Sequence, residues 1–149
     1  MAGEGRLPRL DLDAERCRIY AVIKAVELGL VLACHDVGEG GLFTTLAEMT
    51  IGGWGGGRVG AEIDVDVLPA MPLAEVLFCE SGGFVIETDG DSVEAVLGVC
   101  AEAGAAARAI GETVAQDRLT VKRATGSVLE FDGGQLREAW LGRLEESIR

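Results

Sequence analysis

The sequence predicts an α/β (α+β) fold in which helices flank a mixed β-sheet. Three observations lead to this prediction: apolar residues recur at helical spacing near both ends, short runs rich in β-branched residues lie between, and glycine or proline separates most runs. The resulting order of alternating helices and strands is typical of helices packed on a sheet. The chain has 149 residues, the length of one domain; 1–10 is expected to be a flexible arm or linker and 11–149 the domain.

The N-terminal part of this domain predicts an amphipathic helix that is followed at once by a strand. From Asp13 onward, apolar side chains recur at every third or fourth position, and Gly29 occupies a C-cap position. The run 30–34 is continuously apolar and therefore predicts a strand that is buried on both faces. The strand is expected to end at the polar pair His35-Asp36.

The central part predicts a helix, a strand and a shorter helix. A glycine turn leads directly into the helical pattern at 42–49. The glycine-rich segment 52–57 has too little side-chain mass for a regular element and is expected to be a mobile loop. Apolar and acidic residues alternate over 61–67, which predicts a strand with one solvated face. A short helix is predicted at 73–79.

The C-terminal part predicts a capped helix, further strands and a last helix. A strand at 84–88 precedes Asp91, which is expected to be an N-cap because Glu94 follows three residues later; Gly104 ends that helix. Three more strands are predicted, at 107–110, 119–122 and 128–131. The final helix carries apolar residues spaced by four, namely Leu136, Trp140, Leu144 and Ile148.

Charge and cysteine content exclude several classes of function. With 25 acidic and 13 basic residues, the net charge of −12 repels phosphate backbones and anionic lipid, so nucleic-acid and membrane-surface binding are disfavoured. No membrane-spanning apolar run or signal peptide is recognisable, and a cytoplasmic protein is expected. The four cysteines form no CxxC pair and a single histidine accompanies them, so they are expected to be reduced and mostly buried.

The segment 35–41, which reads HDVGEGG, is the most informative stretch for chemistry. Its glycines allow a sharp turn where a strand end meets a helix N-terminus, and the backbone N–H groups of such a terminus suit a phosphate or carboxylate. In the alternative interpretation, Asp36 and Glu39 cap the helix themselves and fill its donors. His35 either orients Asp36 or is a hydrogen-bonded core histidine.

Other candidate sites carry weaker signals. Asp64 and Asp66 share a face of a predicted strand, which suits magnesium, although solvated acidic residues are the commoner arrangement. The segment 80–83, which reads ESGG, is a second small turn that we expect to face the first, with Ser81 as a hydroxyl donor and glycine amides as an anion nest. A catalytic triad of Ser81 with His35 and the neighbouring aspartate is disfavoured because no GxSxG elbow is present.

Five motifs occur in order along nearly the whole chain, from Leu10 to Leu144. The segment 31–42 reads VLACHDVGEGGL and precedes LAEM at 46–49; the other four motifs lie at 60–64, 77–81, 110–114 and 136–140. This ordered set resembles the C-terminal domain of phosphoribosylformylglycinamidine synthase, whose signature is HDVS[ED]GGL followed by LAEM. The resemblance implies a domain of the aminoimidazole-ribonucleotide-synthetase C-terminal type.

The resemblance also implies an activity for the full enzyme. In that family, ATP and Mg²⁺ drive the conversion of formylglycinamide ribonucleotide and ammonia to the amidine in purine biosynthesis, and the amide oxygen is phosphorylated before ammonia displaces it. The implied partners are N-terminal synthetase domains, a glutaminase subunit and a small accessory subunit. Neither cofactor is expected to be held by this domain alone, and the fragment is expected to be inactive by itself.

The candidate substrate- or phosphate-binding residues follow from the two glycine turns and the resemblance. They are His35, Asp36, Glu39, Gly40, Gly41, Glu80 and Ser81. Neither a catalytic residue nor a metal ligand is predicted within the chain.

Two departures from the family pattern support a rival hypothesis. Gly38 replaces the serine of the HDVS motif, and 80–84 lacks the arginine of the family's ES-x-[SG]-R-F segment. The rival is a non-catalytic ligand-binding or dimerisation module of the same superfamily, which would form a homodimer, or a domain of a related ATP-dependent synthetase or kinase.

Overall fold

The computed structural model describes residues 10–52, 59–124 and 129–147, and within them it confirms the mixed α+β class. The described helices are α1 (Leu12–Glu27), α2 (Gly41–Ile51), α3 (Leu73–Phe78), α4 (Val93–Glu102) and α5 (Gly133–Ser147). The described strands are β1 (Ala33–Asp36), β2 (Gly60–Asp64), β3 (Phe84–Glu87), β4 (Gly111–Val114), β5 (Arg118–Lys122) and β6 (Leu129–Asp132). Short 3₁₀ turns lie at Val65–Val67 and Gly90–Ser92.

The described strands form two sheets. β1 and β3 make an antiparallel pair, and the other four strands form a mixed sheet in the order β4-β2-β5-β6. In the mixed sheet only β2 and β5 run parallel, which requires the chain to cross over between them. The pairing of β1 with β3 joins segments that lie about fifty positions apart in sequence, and it positions the candidate site.

The larger core lies between the four-stranded sheet and the helices α2, α3 and α5. Leu77 of α3 and Leu119 of β5 are at most 1% exposed and anchor this core. Phe43 of α2 packs edge-on against Phe131 of β6, with their ring centroids 5.0 Å apart. Burial of these apolar side chains stabilises the position of α2, the helix that follows the first glycine turn.

A smaller core joins α1 and α4 above the β1–β3 pair. Ala21 of α1 meets Val96 and Cys100 of α4, and Leu30 and Ile86 pack against this cluster. The small side chain of Ala21 allows the two helices to approach closely. Gly29, at φ +70°, ends α1 in the left-handed conformation that glycine favours, as predicted from its place in the sequence.

Three strand predictions need correction. The strand predicted at 30–34 begins only at Ala33, as β1. Its residues are alternately half-buried and exposed, because β3 is its single partner among the described residues. The strand predicted over 61–67 stops at Asp64, whose side chain accepts a hydrogen bond from the Asp66 amide and starts a 3₁₀ turn. Since β2 ends there, its partner β4 begins at Gly111, and 107–110 is not a strand.

Two further predictions are wrong. Asp91 is not the N-cap of α4, because a 3₁₀ turn precedes the helix and Ser92 occupies the cap position without a side-chain hydrogen bond. The cysteines are free but not mostly buried: Cys100 is buried, Cys17 is half-buried, and the remaining two, Cys34 and Cys79, are exposed.

Parts of other predictions lie outside the described residues. These are most of the expected arm at 1–10, most of the expected loop at 52–57, and the side chains of Leu144 and Ile148. In the described helices, no segment has both the length and the apolar character needed to cross a membrane.

Candidate functional site

Strand pairing brings the two glycine turns together, as the sequence predicted. In the antiparallel pair, Asp36 at the end of β1 lies opposite Phe84 at the start of β3. The Val37 amide then donates a hydrogen bond of 2.9 Å to the Gly83 carbonyl, which extends the contact into both turns. Residues 35–41 and 80–83 therefore form one continuous surface, although about forty positions separate them in sequence.

A carboxylate from the second turn occupies the N-terminus of α2. The Gly40 amide donates a 2.8 Å hydrogen bond to Glu80 Oε1. Gly40 is the N-cap of α2 and receives no side-chain cap from its own turn, so neither Asp36 nor Glu39 fills this position. The partially positive end of the helix stabilises an anionic oxygen, and here Glu80 supplies one.

The backbone requires glycine at both positions of this helix start. Gly40 and Gly41 have φ angles of +79° and +66°, in the region that L side chains rarely adopt. A Cβ atom on Gly41 would lie 2.8 Å from the Leu77 carbonyl oxygen and from backbone carbons of Phe78. Gly41 therefore allows α2 to pack directly on α3, and its amide donates to the Gly38 carbonyl at 3.0 Å.

His35 lies beside this helix start and contacts both Asp36, as one interpretation of the sequence expected, and Glu48, which the sequence did not single out as a site residue. Its Nε2 is 3.1 Å from Glu48 Oε2 of α2, and its Nδ1 is 2.7 Å from the backbone carbonyl oxygen of Asp36. The other carboxylate oxygen, Glu48 Oε1, accepts a hydrogen bond of 3.4 Å from Trp140 Nε1. Glu48 belongs to the LAEM motif, but its meeting with His35 and a residue of α5 depends on tertiary packing.

The remaining predicted site residues are open to solvent. The side chain of Asp36 is 73% exposed, and Glu39 and Ser81 are also exposed. His35 Nδ1 turns back to within 3.5 Å of Asp36 Oδ1, although adjacent strand residues alternate in direction. Both ring nitrogens face other oxygens, which further disfavours a triad with Ser81.

Two other groups are unsuited to nucleophilic or metal chemistry. Desolvation raises the pKa of the Cys34 thiol, and the Asp36 carboxylate raises it further, so the reactive thiolate is disfavoured. Asp64 and Asp66 do not share a strand face, because β2 ends at Asp64. Asp66 instead accepts hydrogen bonds from Arg123 Nε, at 3.3 Å, and from the Ala124 amide. Among the described residues, no three histidine, cysteine or acidic side chains gather into a metal site.

A separate polar cluster lies on the four-stranded sheet. Glu62 of β2 pairs with Lys122, and its carboxylate is 3.6 Å from Arg118 Nη2. The hydrogen bond from Lys122, with the positive charges of both basic residues, lowers the pKa of Glu62. A shallow cavity of about 290 Å³ lies beside this pair, lined also by Asp64 and Glu112. Because Glu62 is already paired, we interpret this cluster as stabilising the sheet.

Comparison with known proteins finds one family and a consistent set of relatives. The family described as "AIR synthase related protein, C-terminal domain" matches residues 2–124. The PurL subunit of phosphoribosylformylglycinamidine synthase from Thermococcus sibiricus is 36% identical over 139 residues, which are 90% of this chain and 18% of the relative. The resemblance seen in the sequence motifs is thereby confirmed.

Solved structures of PurL from Thermotoga maritima have the same fold. PurL in complex with ATP superposes with a TM-score of 0.74 at 25% identity, covering 85% of this chain and 22% of that one. A chain in the structure of PurLQS superposes with a TM-score of 0.76 at 24% identity, covering 87% of this chain and 22% of that one. The present chain thus spans about a fifth of the length of these relatives.

Proposed function

Because the chain belongs to the family of AIR synthase related C-terminal domains, we propose that it is the C-terminal domain of a phosphoribosylformylglycinamidine synthase. The full enzyme would use ATP to convert formylglycinamide ribonucleotide and ammonia to the amidine in purine biosynthesis, a cytoplasmic process. This domain contributes residues at one edge of the phosphate-binding site and packs against the other domains of the enzyme. The domain alone does not catalyse the reaction.

Family membership carries the assignment. The observation that carries the proposed phosphate contact is the Gly40 amide, which donates to the Glu80 carboxylate at the start of α2. A phosphate oxygen of the ribonucleotide or of ATP carries negative charge, as this carboxylate does, and fits the same donor. We propose that a ligand phosphate displaces Glu80, which lies on an exposed turn, from this donor. Gly40, rather than Gly41, supplies the exchangeable donor, since the Gly41 amide is bonded to Gly38.

The other candidate residues surround this donor. Ser81 presents a hydroxyl from the second turn, and His35 supports the strand end that leads into the first. Asp36 and Glu39, both exposed, shape the outer edge of the turn and disfavour a second anion there.

We assign magnesium and most nucleotide contacts to the companion domains. The similar PurL from T. maritima has been solved with ATP, which supports nucleotide binding by the full enzyme. The described residues of this chain form no cluster of three metal-ligating side chains, so they do not by themselves fit a magnesium site. The PurLQS structure supports a multisubunit assembly, for which we propose a glutaminase and a small accessory subunit as partners.

Reconstitution tests the proposal. T. maritima PurL from which the matching segment has been deleted is mixed with this chain, and ATP- and ammonia-dependent formation of the amidine is measured. We expect the wild-type chain to restore turnover and neither half to be active alone. Co-elution of the two halves without turnover would refute the synthase assignment and favour the non-catalytic module.

A ligand titration tests separately whether the two glycine turns bind phosphate. Formylglycinamide ribonucleotide and Mg²⁺-ATP are added in turn to ¹⁵N-labelled chain in matched salt. Saturable shifts are expected at the amides of Gly40 and Ser81, whereas Gly98 on the exposed side of α4 serves as the unaffected control. Equal shifts at Gly98 would indicate a nonspecific effect of the ligand.

One observation favours a second candidate function, self-association through the outer face of α1. Ile19, Ile23 and Val26 are 47%, 48% and 54% exposed, on the side of the helix opposite the buried Ala21 and Ala25. Their spacing of four and three residues is that of a coiled-coil seam. We propose a second copy of this chain as the occupant of this face in the non-catalytic module.

The length of α1, 16 residues, limits the size of a contact between two copies through this face. A helix of this length is about 24 Å long, so the contact is smaller than a standard interface and a weak dimer is expected. Sedimentation should show a dimer at high concentration that Ile23→Glu abolishes and Val67→Glu, an exposed site elsewhere, preserves. A wild-type monomer throughout would refute this candidate.

A further inference from the structure

An ion pair of α1 lies against the second glycine turn. Glu15 and Arg18 are three residues apart in the helix, so their side chains project from the same face. Glu15 Oε1 accepts a hydrogen bond from Arg18 Nη1, and the same oxygen would lie 3.8 Å from a Cβ atom on Gly82. The guanidinium is therefore held beside the turn 80–83, although about sixty positions separate the two in sequence.

The two glycine turns carry negative charge and lack a strong cation of their own. Asp36, Glu39 and Glu80 place three carboxylates there, and neither 35–41 nor 80–84 contains lysine or arginine. These carboxylates repel an anionic ligand unless a positive charge lies nearby. A phosphate contact at the Gly40 amide therefore requires a basic side chain from another element.

The other described basic side chains contact groups away from the turns. Oxygen atoms of β2, of the 3₁₀ turn Val65–Val67 and of Asp117 bind five of them, namely Arg108, Arg118, Lys122, Arg123 and Arg137. On α1, Lys24 pairs with Glu27 near the C-terminal end, and Arg16 lies 5.9 Å from the centroid of the Tyr20 ring. Of the basic side chains that the structure describes, Arg18 is the one whose partner faces a glycine turn.

Arg18 is able to change its partner. The side chains of Arg18 and Glu15 are 39% and 26% exposed, and an ion pair that water reaches adds little to stability. A guanidinium presents a planar fork of donors that fits two phosphate oxygens. The Gly40 amide lies at Glu80 and the ion pair lies at Gly82, and two positions of chain span at most about 7 Å. One phosphate-bearing ligand can therefore reach both donors.

We propose that Arg18 is a second donor to the ligand phosphate at the candidate site, and that Glu15 occupies its guanidinium until the ligand arrives. On binding, the guanidinium exchanges the Glu15 carboxylate for phosphate oxygens, as the Gly40 amide exchanges Glu80. This assignment rests on the proposed function. The phosphate of the ribonucleotide and the phosphates of ATP share the required chemistry, and the test distinguishes them.

Titration of charge variants tests the assignment. Dissociation constants of formylglycinamide ribonucleotide and of Mg²⁺-ATP are measured separately from the Gly40 and Ser81 amide shifts of the ¹⁵N-labelled chain. Arg18→Met, which removes the charge and retains an unbranched side chain, should weaken binding about tenfold, as expected for a lost hydrogen bond to a charged group. Arg16→Met, an equal change of charge at an exposed position of α1, should leave the affinity unchanged. The ligand that responds is the source of the phosphate.

Replacement of the competing carboxylate should have the opposite effect. Glu15→Gln releases the guanidinium, so the phosphate ligand should bind more tightly than it does to wild type. Glu27→Gln, an equal change of charge at the other end of α1, should have no effect. An ion pair that only stabilises the helix would instead weaken binding in both Glu15→Gln and Arg18→Met. Glu15→Gln also gives an independent result if Arg18→Met does not fold.

Equal affinity of wild type and Arg18→Met would overturn the assignment and leave the proposed function in place. Equal weakening by Arg16→Met would do the same, because it would indicate a long-range effect of charge. Unchanged or weaker binding by Glu15→Gln would likewise count against the exchange of partners. Absence of saturable shifts in the wild-type chain with either ligand would refute the proposed phosphate contact itself, and the role of Arg18 with it.

Discussion

Replacement of Gly41 by alanine tests the packing that places the candidate site. Gly41 is buried, has a φ of +66°, and a Cβ atom there would lie 2.8 Å from three backbone atoms of Leu77 and Phe78. These atoms belong to α3 and have no side-chain freedom with which to move aside. The variant therefore forces either α2 or α3 to shift.

The expected cost follows from two effects. A non-glycine residue in the left-handed conformation costs about 1 to 2 kcal/mol. Overpacking a well-filled core costs about 1 to 3 kcal/mol more. Gly41→Ala should therefore lower the free energy of unfolding by about 2 to 5 kcal/mol, a large part of the roughly 5 to 15 kcal/mol that stabilises a typical domain.

Urea unfolding followed by far-UV circular dichroism measures this change, and Gly98→Ala is the matched control. Gly98 lies in α4 with no atom within 4 Å of its added Cβ, so alanine there should raise the unfolding free energy by up to about 1 kcal/mol. If Gly41→Ala is as stable as Gly98→Ala, the close approach of α2 to α3 does not exist in solution and the reasoning fails.

Three other predictions concern the core, the sheet surface and the last helix. Leu119→Ala, at a fully buried position, should lower the free energy of unfolding, measured by urea unfolding, by about 2 to 5 kcal/mol. A smaller loss would indicate that Leu119 is not fully buried in solution. Because the hydrogen bond from Lys122 lowers the pKa of Glu62, Lys122→Met should be less stable than wild type near neutral pH. That difference should vanish as the pH falls through the lowered pKa, below the usual value of about 4.3, and a pH-independent difference in unfolding would contradict it. Arg137 binds Asp117 through two hydrogen bonds of 3.0 and 2.6 Å, so Arg137→Lys should speed amide exchange in α5, whereas unaltered exchange would show that the ion pair does not hold the helix.

Local rules were sufficient for many elements. The spacing of apolar residues predicted α1, α2 and α3 close to their observed bounds, and Gly29 ends α1 as expected for a glycine at that place. Such predictions succeed because periodicity and the conformational freedom of glycine act over a few residues. The same rules fail where a local cap competes with a turn, as at Asp91, which a 3₁₀ turn displaces from the start of α4.

Strand limits and burial were less predictable, since a strand exists only where it has a partner. The run before Ala33 is as apolar as a buried strand, yet Leu32 is 61% exposed because the small β1–β3 pair leaves it uncovered. Likewise, β4 begins at Gly111 since that residue is paired with Ile63 near the end of β2. Exposure of Cys34 follows from the same open face.

The sequence by itself determined the family, the mixed class of fold and the existence of two glycine turns, because motifs, periodicity and turns are each local patterns whose order can be followed along the chain. The tertiary structure alone decided that Glu80 is the carboxylate at the Gly40 amide and that Glu48 reaches His35. These contacts depend on how β1 pairs with β3 and how α2 packs against its neighbours. Pairing and packing are chosen by burial of the whole core, and no local pattern specifies them.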